Sequence, residues 1–521
     1  MSDEANSNHT MRITGFFLGP ALFILTLLLS PPEGMQLATW QSAALAVWMI
    51  SWWVFEAVPL SVTALLPLVV YPLLGVMDLR EAAKPFAEPV IYLFLGGFII
   101  ALGIEKSKLH LRIALGIVKL IGTRPDRMIG GFMAATAFLS MWISNTATVI
   151  MMLPMALSVI HLLKGQLGDV SEKTARNFAL CMMLGLAYAS GIGGMGTLIG
   201  TPPNAFLKGY LEKTYGFEIA FFDWMKFGVP LVIVLTIAMW VILVKMVYRV
   251  DMKESAQTKA LIHEEIAKLG AMSKIEKIVL GIFLCVAFGW VFQQPLSGGF
   301  TLGGVHFPGI PELSDTVIAM IGALAMFLIP LNFKKNETIL TWKDAEKLPW
   351  GVLILFGGGL SMAHGFETTG LGTWIGQQFD GTGNYLPHLL IVALVVLVTM
   401  ACTEFMSNIA TITMLLPVIV PIAIGMGENP LMFAIPATII ASCAFVLPVS
   451  TASNAIVFGT GYVKIQEMVK GGILVNIAAY ILVMILAMTL IPAIFDIQQG
   501  VLPEWAQPKD VGTGMPTTAE D

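Results

Sequence analysis

An uncharged polar cluster, Ser-Asn-x-Ala-Thr, stands twice inside apolar runs: MWISNTATVIMMLP at 141–154 and EFMSNIATITMLLP at 404–417. Such a cluster offers hydroxyl and amide oxygens and brings no cationic group with it. Ser140 and Ser144 are four apart, as are Thr403 and Ser407, so each pair is expected on one helical face. With the amide oxygen of Asn145 or Asn408 and nearby carbonyls, each cluster can build an oxygen-only cage. The first cage holds no carboxylate, which suits a weakly held monovalent cation such as sodium better than calcium or magnesium. Asn145, Thr146, Asn408 and Thr451 offer neutral hydrogen-bond donors for a substrate. No Lys or Arg lies in either cluster, nor in the interrupted stretches GIGGMGTLIGTPPNA (191–205) and VLPVSTASNA (446–455). An anion there has to be held by donors, helix dipoles and the bound cations, so that anion binding depends on cation binding.

The elements that position these residues belong to a membrane. The chain has 521 residues, 56% hydrophobic and 12% charged, whereas a soluble domain carries about 25% charge. Apolar segments are expected at 12–30, 39–57, 60–77, 88–121, 127–161, 178–209, 224–247, 274–293, 314–332, 350–378, 388–424, 431–462 and 468–494. The runs 127–161 and 388–424 are too long for one span and carry a Ser-Asn cluster near the middle, which predicts re-entrant hairpins. The runs 178–209 and 431–462 are interrupted by Gly and Pro and predict broken helices, whose unwound backbone survives in hydrocarbon only where it lines a cavity or is buried in protein. The expectation is an all-α polytopic membrane protein with eleven crossings and two hairpins.

Loop charge sets the orientation. The 248–277 connection carries Arg249, Lys253, Lys259, Lys268, Lys274 and Lys277, and the 333–347 connection carries Lys334, Lys335, Lys343 and Lys347. No Lys or Arg stands between Lys277 and Lys334. The positive-inside rule places the Lys-rich connections in the cytoplasm, the N-terminus inside and the C-terminus outside, with the basic stretch 106–127 also inside. One connection resists: 208–226 falls outside despite Lys208, Lys213 and Lys226, although Glu212, Glu218 and Asp223 accompany them.

Two halves repeat. LFLGGF at 93–98 resembles LILFGGG at 353–359, Asn145 pairs with Asn408, and GTPPNAFLKG at 200–209 pairs with STASNAIVFG at 450–459. The first hairpin enters from inside and the second from outside, so the repeats are expected to be inverted, as in many secondary transporters. The parts are then an N-terminal segment with the first helix (1–38), repeat 1 (39–247), a cytoplasmic connector (248–273), repeat 2 (274–494) and an acidic tail (495–521). One Ser-Asn cluster alone reads as packing glue between helices; its recurrence beside a Gly/Pro break reads as a site. Glu404, at membrane depth, either tunes the second cation site, carries a proton, or pairs with a neighbouring donor. Glu56 is expected to brace a helix end, and His161 and His364 to be structural. Cys181, Cys285, Cys402 and Cys443 fit neither a disulfide framework nor a zinc site. A membrane enzyme would need a metal set or a nucleophile–base pair, a channel a ring of subunits. No basic stripe for nucleic acid is present.

The paired SNTAT and SNIAT, with TPPNA and ASCAFVLPVSTASNAIV (441–457), resemble the divalent anion/sodium symporter family, from FEAVPL at 55–60 to the last helix. The resemblance implies one sodium site from Ser140, Ser144 and Asn145 with a carbonyl near Gly193. It implies a second from Thr403, Ser407 and Asn408 with a carbonyl near Ser450. Asn145, Thr146, Asn408 and Thr451 would contact the substrate carboxylates. It further implies a homodimer in the plasma membrane, with hairpins and broken helices moving as an elevator against a dimerising scaffold. One departure is Ile409, where several bacterial relatives carry a hydroxyl, so one carboxylate loses a donor. The expected activity is sodium-coupled import of C4-dicarboxylates such as succinate, with sodium-coupled sulfate transport or sodium-independent dicarboxylate exchange as rivals.

Overall fold

A computed structural model describes residues 2–165, 172–251, 260, 264–302, 305–332, 334, 337–379, 387–498 and 500–507. Lys253, Lys259 and Lys335 of the basic connections, and the tail beyond residue 507, lie outside the described residues. Helices dominate, as they must where no water is present to satisfy backbone groups. Among the described residues, eight helices are long and apolar enough to cross a membrane. Among the described residues, departures from the all-helical expectation are confined to two short antiparallel pairs in connections. Phe300–Leu302 pairs with Val305–Phe307, and Pro330–Asn332 with Glu337–Thr338.

The element order is the same in the two halves. After Pro89–Lys106 come the first hairpin (Pro125–Ser140 and Asn145–Gly165), the first broken helix (Glu172–Gly194 and Pro202–Tyr215) and Phe221–Trp240. After Trp350–Thr368 come the second hairpin (His388–Phe405 and Asn408–Gly425), the second broken helix (Leu431–Ile440 and Ala452–Gly459) and Ile465–Met488. Several expected segments are themselves divided, 88–121 at Ser107 and Lys108 and 468–494 at Thr489 among them. The 60–77 run splits into Leu60–Thr63 and Leu66–Leu74, because Pro67 lacks the N–H that would bond back into the first piece. The 350–378 run ends at Thr368 and restarts at Leu371 through Gly370, whose φ of 72° favours glycine.

The helices outside the hairpins pack by close backbone approach, the usual solution where lipid removes the hydrophobic drive between helices. A Cβ at Gly358 would fall inside the backbone of Ala64, and one at Gly365 inside the Tyr71 ring. Tyr71 is fully buried and its hydroxyl lies 3.2 Å from Ser42 Oγ. Phe356 stacks edge-on against Phe94 at 5.2 Å, joining the matched helices Trp350–Thr368 and Pro89–Lys106. In the 333–347 connection, Lys106 hydrogen bonds Asp344 at 2.7 Å, and its ammonium holds that carboxyl down at about 2.

The lysines that resist the orientation rule are not free loop charges. Lys208 and Lys213 lie within Pro202–Tyr215, where Lys208 Nζ is 3.1 Å from Glu218 and Lys213 Nζ is 3.0 Å from Glu88. Lys226 pairs with Asp223 at 2.6 Å. Each is neutralised by a carboxylate, which removes it from a tally of uncompensated positive charge. Glu56 follows Leu37–Val54, and its carbonyl, rather than its carboxylate, receives Arg12 Nε at 3.1 Å.

The packing yields a paired prediction. Gly358→Ala should lower thermal stability in detergent, since overpacking costs about 1–3 kcal/mol. Gly116→Ala, with open space around its position, should leave the melting temperature unchanged or raised. Equal melting temperatures for parent and Gly358→Ala would contradict the close Gly358–Ala64 approach.

Candidate functional site

Each hairpin turns at its Ser-Asn pair, and the turn overturns the expectation that the hydroxyl pairs share a helical face. Ser140 ends the first arm and Thr403 lies near the end of its counterpart, whereas Ser144 and Ser407 precede the arms that follow. The cause is local: a Ser side chain competes with the backbone for N–H groups and so favours a helix start. Ser144 Oγ accepts from Ala147 N at 3.4 Å, and Ser407 Oγ from Ala410 N at 3.3 Å. Asn145 and Asn408 are thereby the first residues of helices whose leading N–H groups face the turn.

Across each break the arms are tied in the same way. Ser140 Oγ donates to Asn145 Oδ1 at 2.8 Å, and Thr403 Oγ1 donates to Asn408 Oδ1 at 3.0 Å. Thr403 Oγ1 also lies 2.6 Å from the Ala441 carbonyl, on the second broken helix. Asn145, Thr146, Asn408 and Thr451 are all half-buried.

The broken helices carry a second repeated device. Asn204 Nδ2 donates to the carbonyls of Gly194 (3.1 Å) and Thr197 (2.8 Å), closing the unwound stretch 195–201. Asn454 Nδ2 donates to the carbonyls of Ala444 (2.9 Å) and Leu447 (3.0 Å), with Ser450 Oγ at 3.3 Å. Ala444 stands for Gly194 and Leu447 for Thr197, so the staple is repeated residue for residue. Thr201 and Thr451 open the helices that follow with nearly the same extended backbone, φ −145° and −141°. Pro202 imposes that geometry on Thr201. Thr451 reaches it as a cap, accepting from Asn454 N at 3.1 Å. Asn204 Oδ1 is buried and accepts no hydrogen bond, leaving an uncommitted oxygen beside the first unwound stretch.

Each hairpin turn docks on the broken helix of its own half. In the first, Thr197 Oγ1 donates to the Met141 carbonyl at 2.5 Å. A Cβ on Gly194 would lie 2.7 Å from Asn145 Oδ1, and one on Gly193 would collide with the Ala137 backbone. Only glycine lets the expected Gly193 region approach the Ser140–Asn145 pair this closely. In the second half, Glu404 occupies the place of Met141. Its carboxylate accepts from the backbone N–H groups of Phe445 (3.0 Å), Val446 (3.2 Å) and Leu447 (3.3 Å), and from Asn476 Nδ2 (2.6 Å). Glu404 thus satisfies three donors that unwinding sets free, the pairing role among those open to it.

The structure therefore brings Ser140, Asn145 and the Gly193–Gly194 backbone together, and Thr403 with Asn408 and Ala441. The Ser144 and Ser407 hydroxyls are engaged as caps, and Ser450 Oγ turns onto Leu447 O at 2.6 Å. The two halves touch where Ser190 Oγ meets Ser453 Oγ at 3.0 Å. Thr197 and Asn476 were not singled out from the sequence. An amide in the middle of the apolar helix Ile465–Met488 was the available signal for Asn476. His364 Nδ1 lies 3.5 Å from Glu367 and the His161 ring 6.5 Å from that of Tyr462, outside these clusters.

Residues 10–495 match the family model described as the sodium:sulfate symporter transmembrane region. The chain belongs to this family. It is a family of transporters, not enzymes, and the divalent anion/sodium symporter resemblance holds over most of the chain. The family's curated relatives include the sodium-dependent dicarboxylate transporter SdcS of Staphylococcus saprophyticus. It is 39% identical over 498 residues, spanning 95% of this chain and 94% of the relative. SdcS of Staphylococcus aureus (strain USA300) is 37% identical over 490 residues, spanning 93% and 92%. Among solved structures, the Alcanivorax borkumensis YdaH transporter shares the fold with a TM-score of 0.54 at 14% identity, covering 78% of this chain and 86% of its own. Neisseria gonorrhoeae MtrF does so with a TM-score of 0.52, also at 14% identity, covering 79% and 84%. These two bear on fold alone.

The amide staple is testable. Asn454→Ala removes the two amide N–H donors that hold the Ala444 and Leu447 carbonyls, each hydrogen bond worth about 0.5–1.5 kcal/mol. Amide exchange across 444–451 should accelerate by about tenfold or more, with that of the Ile465–Met488 helix unchanged. Unaltered exchange in 444–451 would show that the loop is held by something else.

Proposed function

We propose that the protein is a sodium-coupled symporter of C4-dicarboxylates such as succinate, resident in the plasma membrane. The observation that carries this reading is the duplicated tie at the hairpin turns, Ser140 to Asn145 and Thr403 to Asn408. Each places an amide oxygen, a hydroxyl and unwound backbone carbonyls within one small region, an all-oxygen donor set suited to sodium. Sodium site 1 uses Ser140, Ser144, Asn145 and the Gly193 carbonyl. Sodium site 2 uses Thr403, Ser407, Asn408 and the Ser450 carbonyl. For Ser144 and Ser407 the hydroxyl oxygen keeps lone pairs beyond the one used for capping.

The substrate lies between the two turns, its carboxylates met by Asn145, Thr146, Asn408 and Thr451 and by the leading N–H groups of the helices begun at Asn145 and Asn408. No cationic side chain shares in that contact, so the bound sodium ions supply the positive charge. The dicarboxylate is accordingly held only when sodium is held. Curated relatives named as sodium-dependent dicarboxylate transporters support the same substrate class.

The repeated element order supports two related halves, and the loop charge supports their inversion, with the hairpins re-entrant and the N-terminus cytoplasmic. Hairpins and broken helices then slide as an elevator against the remaining helices, which form the dimer scaffold. A second reading, sodium-coupled sulfate transport, is favoured by the family description. Sulfate needs one compact set of donors, whereas two turns each offering an Asn suit two separated carboxylates.

Labelled succinate uptake into proteoliposomes under an inward sodium gradient is the test. Uptake should vanish when potassium replaces sodium and should ignore excess unlabelled sulfate. Asn145→Ala and Asn408→Ala should each reduce uptake to background while eluting as folded protein. Normal transport by either variant would overturn the site assignment, and sulfate competition would favour the second reading.

A further inference from the structure

The first broken helix carries two lysines that face acids on other helices. Lys208, on Pro202–Tyr215, is 2% exposed, and its Nζ lies 3.9 Å from Oδ2 of Asp315, also 2% exposed. One turn on, Lys213 Nζ lies 3.0 Å from Glu88 Oε1. Glu88 caps Pro89–Lys106 and Asp315 opens Asp315–Leu328, so both acids stand at helix starts, where the dipole favours negative charge. Neither of those helices belongs to a hairpin or a broken helix. Both ion pairs therefore cross from the moving unit to the scaffold.

Asp315 is the hub of this contact. Its Oδ2 also accepts from Phe221 N at 3.0 Å, and its carbonyl accepts from Trp290 Nε1 at 3.0 Å. Phe221 and Trp290 stack at 4.3 Å, which seats Asp315 firmly on the scaffold side. Asp315 Oδ1 is buried without a partner. Elsewhere the same boundary has small residues against apolar ones: Gly97 meets Ile199, and Gly209 meets Val90. A glycine-lined surface can slide, whereas a desolvated ion pair favours one discrete position over others.

We propose that Glu88 and Asp315 form the fixed side of an electrostatic latch that holds the first broken helix against the scaffold in one end state of the transport cycle. The latch rests on the sliding motion proposed above. Its two sides are unequal. On release, Lys208 keeps partners within its own unit, Glu218 at 3.1 Å and the Ile219 carbonyl at 2.9 Å. Asp315 instead loses Lys208 and, with its Oδ1 already without a partner, must be met by water. Asp315 therefore sets how firmly the latch holds, and Glu88 adds a second, more exposed point of hold.

A cysteine pair reports the latched position without reference to transport. The Cβ position of Gly209 lies 3.2 Å from Val90 Cβ, close to the roughly 3.5–4.5 Å of a disulfide. Val90→Cys with Gly209→Cys is introduced after replacing the four native cysteines by alanine, and oxidative crosslinking is followed by thiol labelling. Crosslinking should proceed in the parent pair and slow by roughly three- to tenfold with Asp315→Asn or Glu88→Gln, through a shifted end-state population. Glu88→Gln keeps the test decisive if Asp315→Asn does not fold. Parent-like crosslinking in both variants overturns the latch, as does a parent pair that never crosslinks. Full succinate uptake by crosslinked protein would remove the sliding motion and the latch together. Slowed crosslinking in a protein without sodium-driven uptake would sustain the latch and remove only the transport assignment.

Discussion

The whole site depends on one constraint: backbone unwound within hydrocarbon must find its hydrogen-bond partners inside the protein. Two helices are opened here, and each opening frees carbonyls and N–H groups at membrane depth. The carbonyls are partly gathered by one amide in each half, Asn204 and Asn454. The N–H groups of the second opening are gathered by Glu404. Oxygens that remain uncommitted, together with those of the hairpin turns, are the ones available to a cation. Among the described residues, Asn204 Oδ1 is one of the buried polar atoms that find no such partner.

From that constraint follows the link between cation and anion. A lysine or arginine in the site would hold a dicarboxylate whether or not sodium was present, and the gradient would then drive nothing. Cationic side chains are instead kept at the periphery, and Lys208, one helical segment beyond the first opening, is tied to Glu218 and the Ile219 carbonyl. On the proposed reading, neutral donors at Asn145 and Asn408 would bind the anion weakly on their own, and coupling would come from what the site lacks as much as from what it contains.

Much of this was legible in the sequence, because the features are local. Ser-Asn inside a long apolar run marks a turn, and Pro202-Pro203 or Pro448 marks an unwound stretch, whatever the tertiary context. The duplication gave the positions that correspond. Where the sequence misled, local competition decided: Ser144 and Ser407 look like second members of a helical face but act as caps, since a Ser oxygen reaches the free N–H groups of a helix start. What stayed hidden was set by contacts between residues far apart in the chain. Glu404 finds Phe445 and Asn476, and Lys208 finds Asp315, only after folding. The apparent violation of the loop-charge rule at Lys208 and Lys213 was a trace of those pairs.

Substrate binding measured as a function of cation tests the central claim most directly. Purified protein in detergent is titrated with labelled succinate in sodium, and then in choline at equal ionic strength. The account predicts saturable binding in sodium and none detectable in choline, with affinity rising as sodium rises. Equal affinity in both would contradict it, because the anion would then be held by the protein alone and the paired oxygen cages would have no part in its capture.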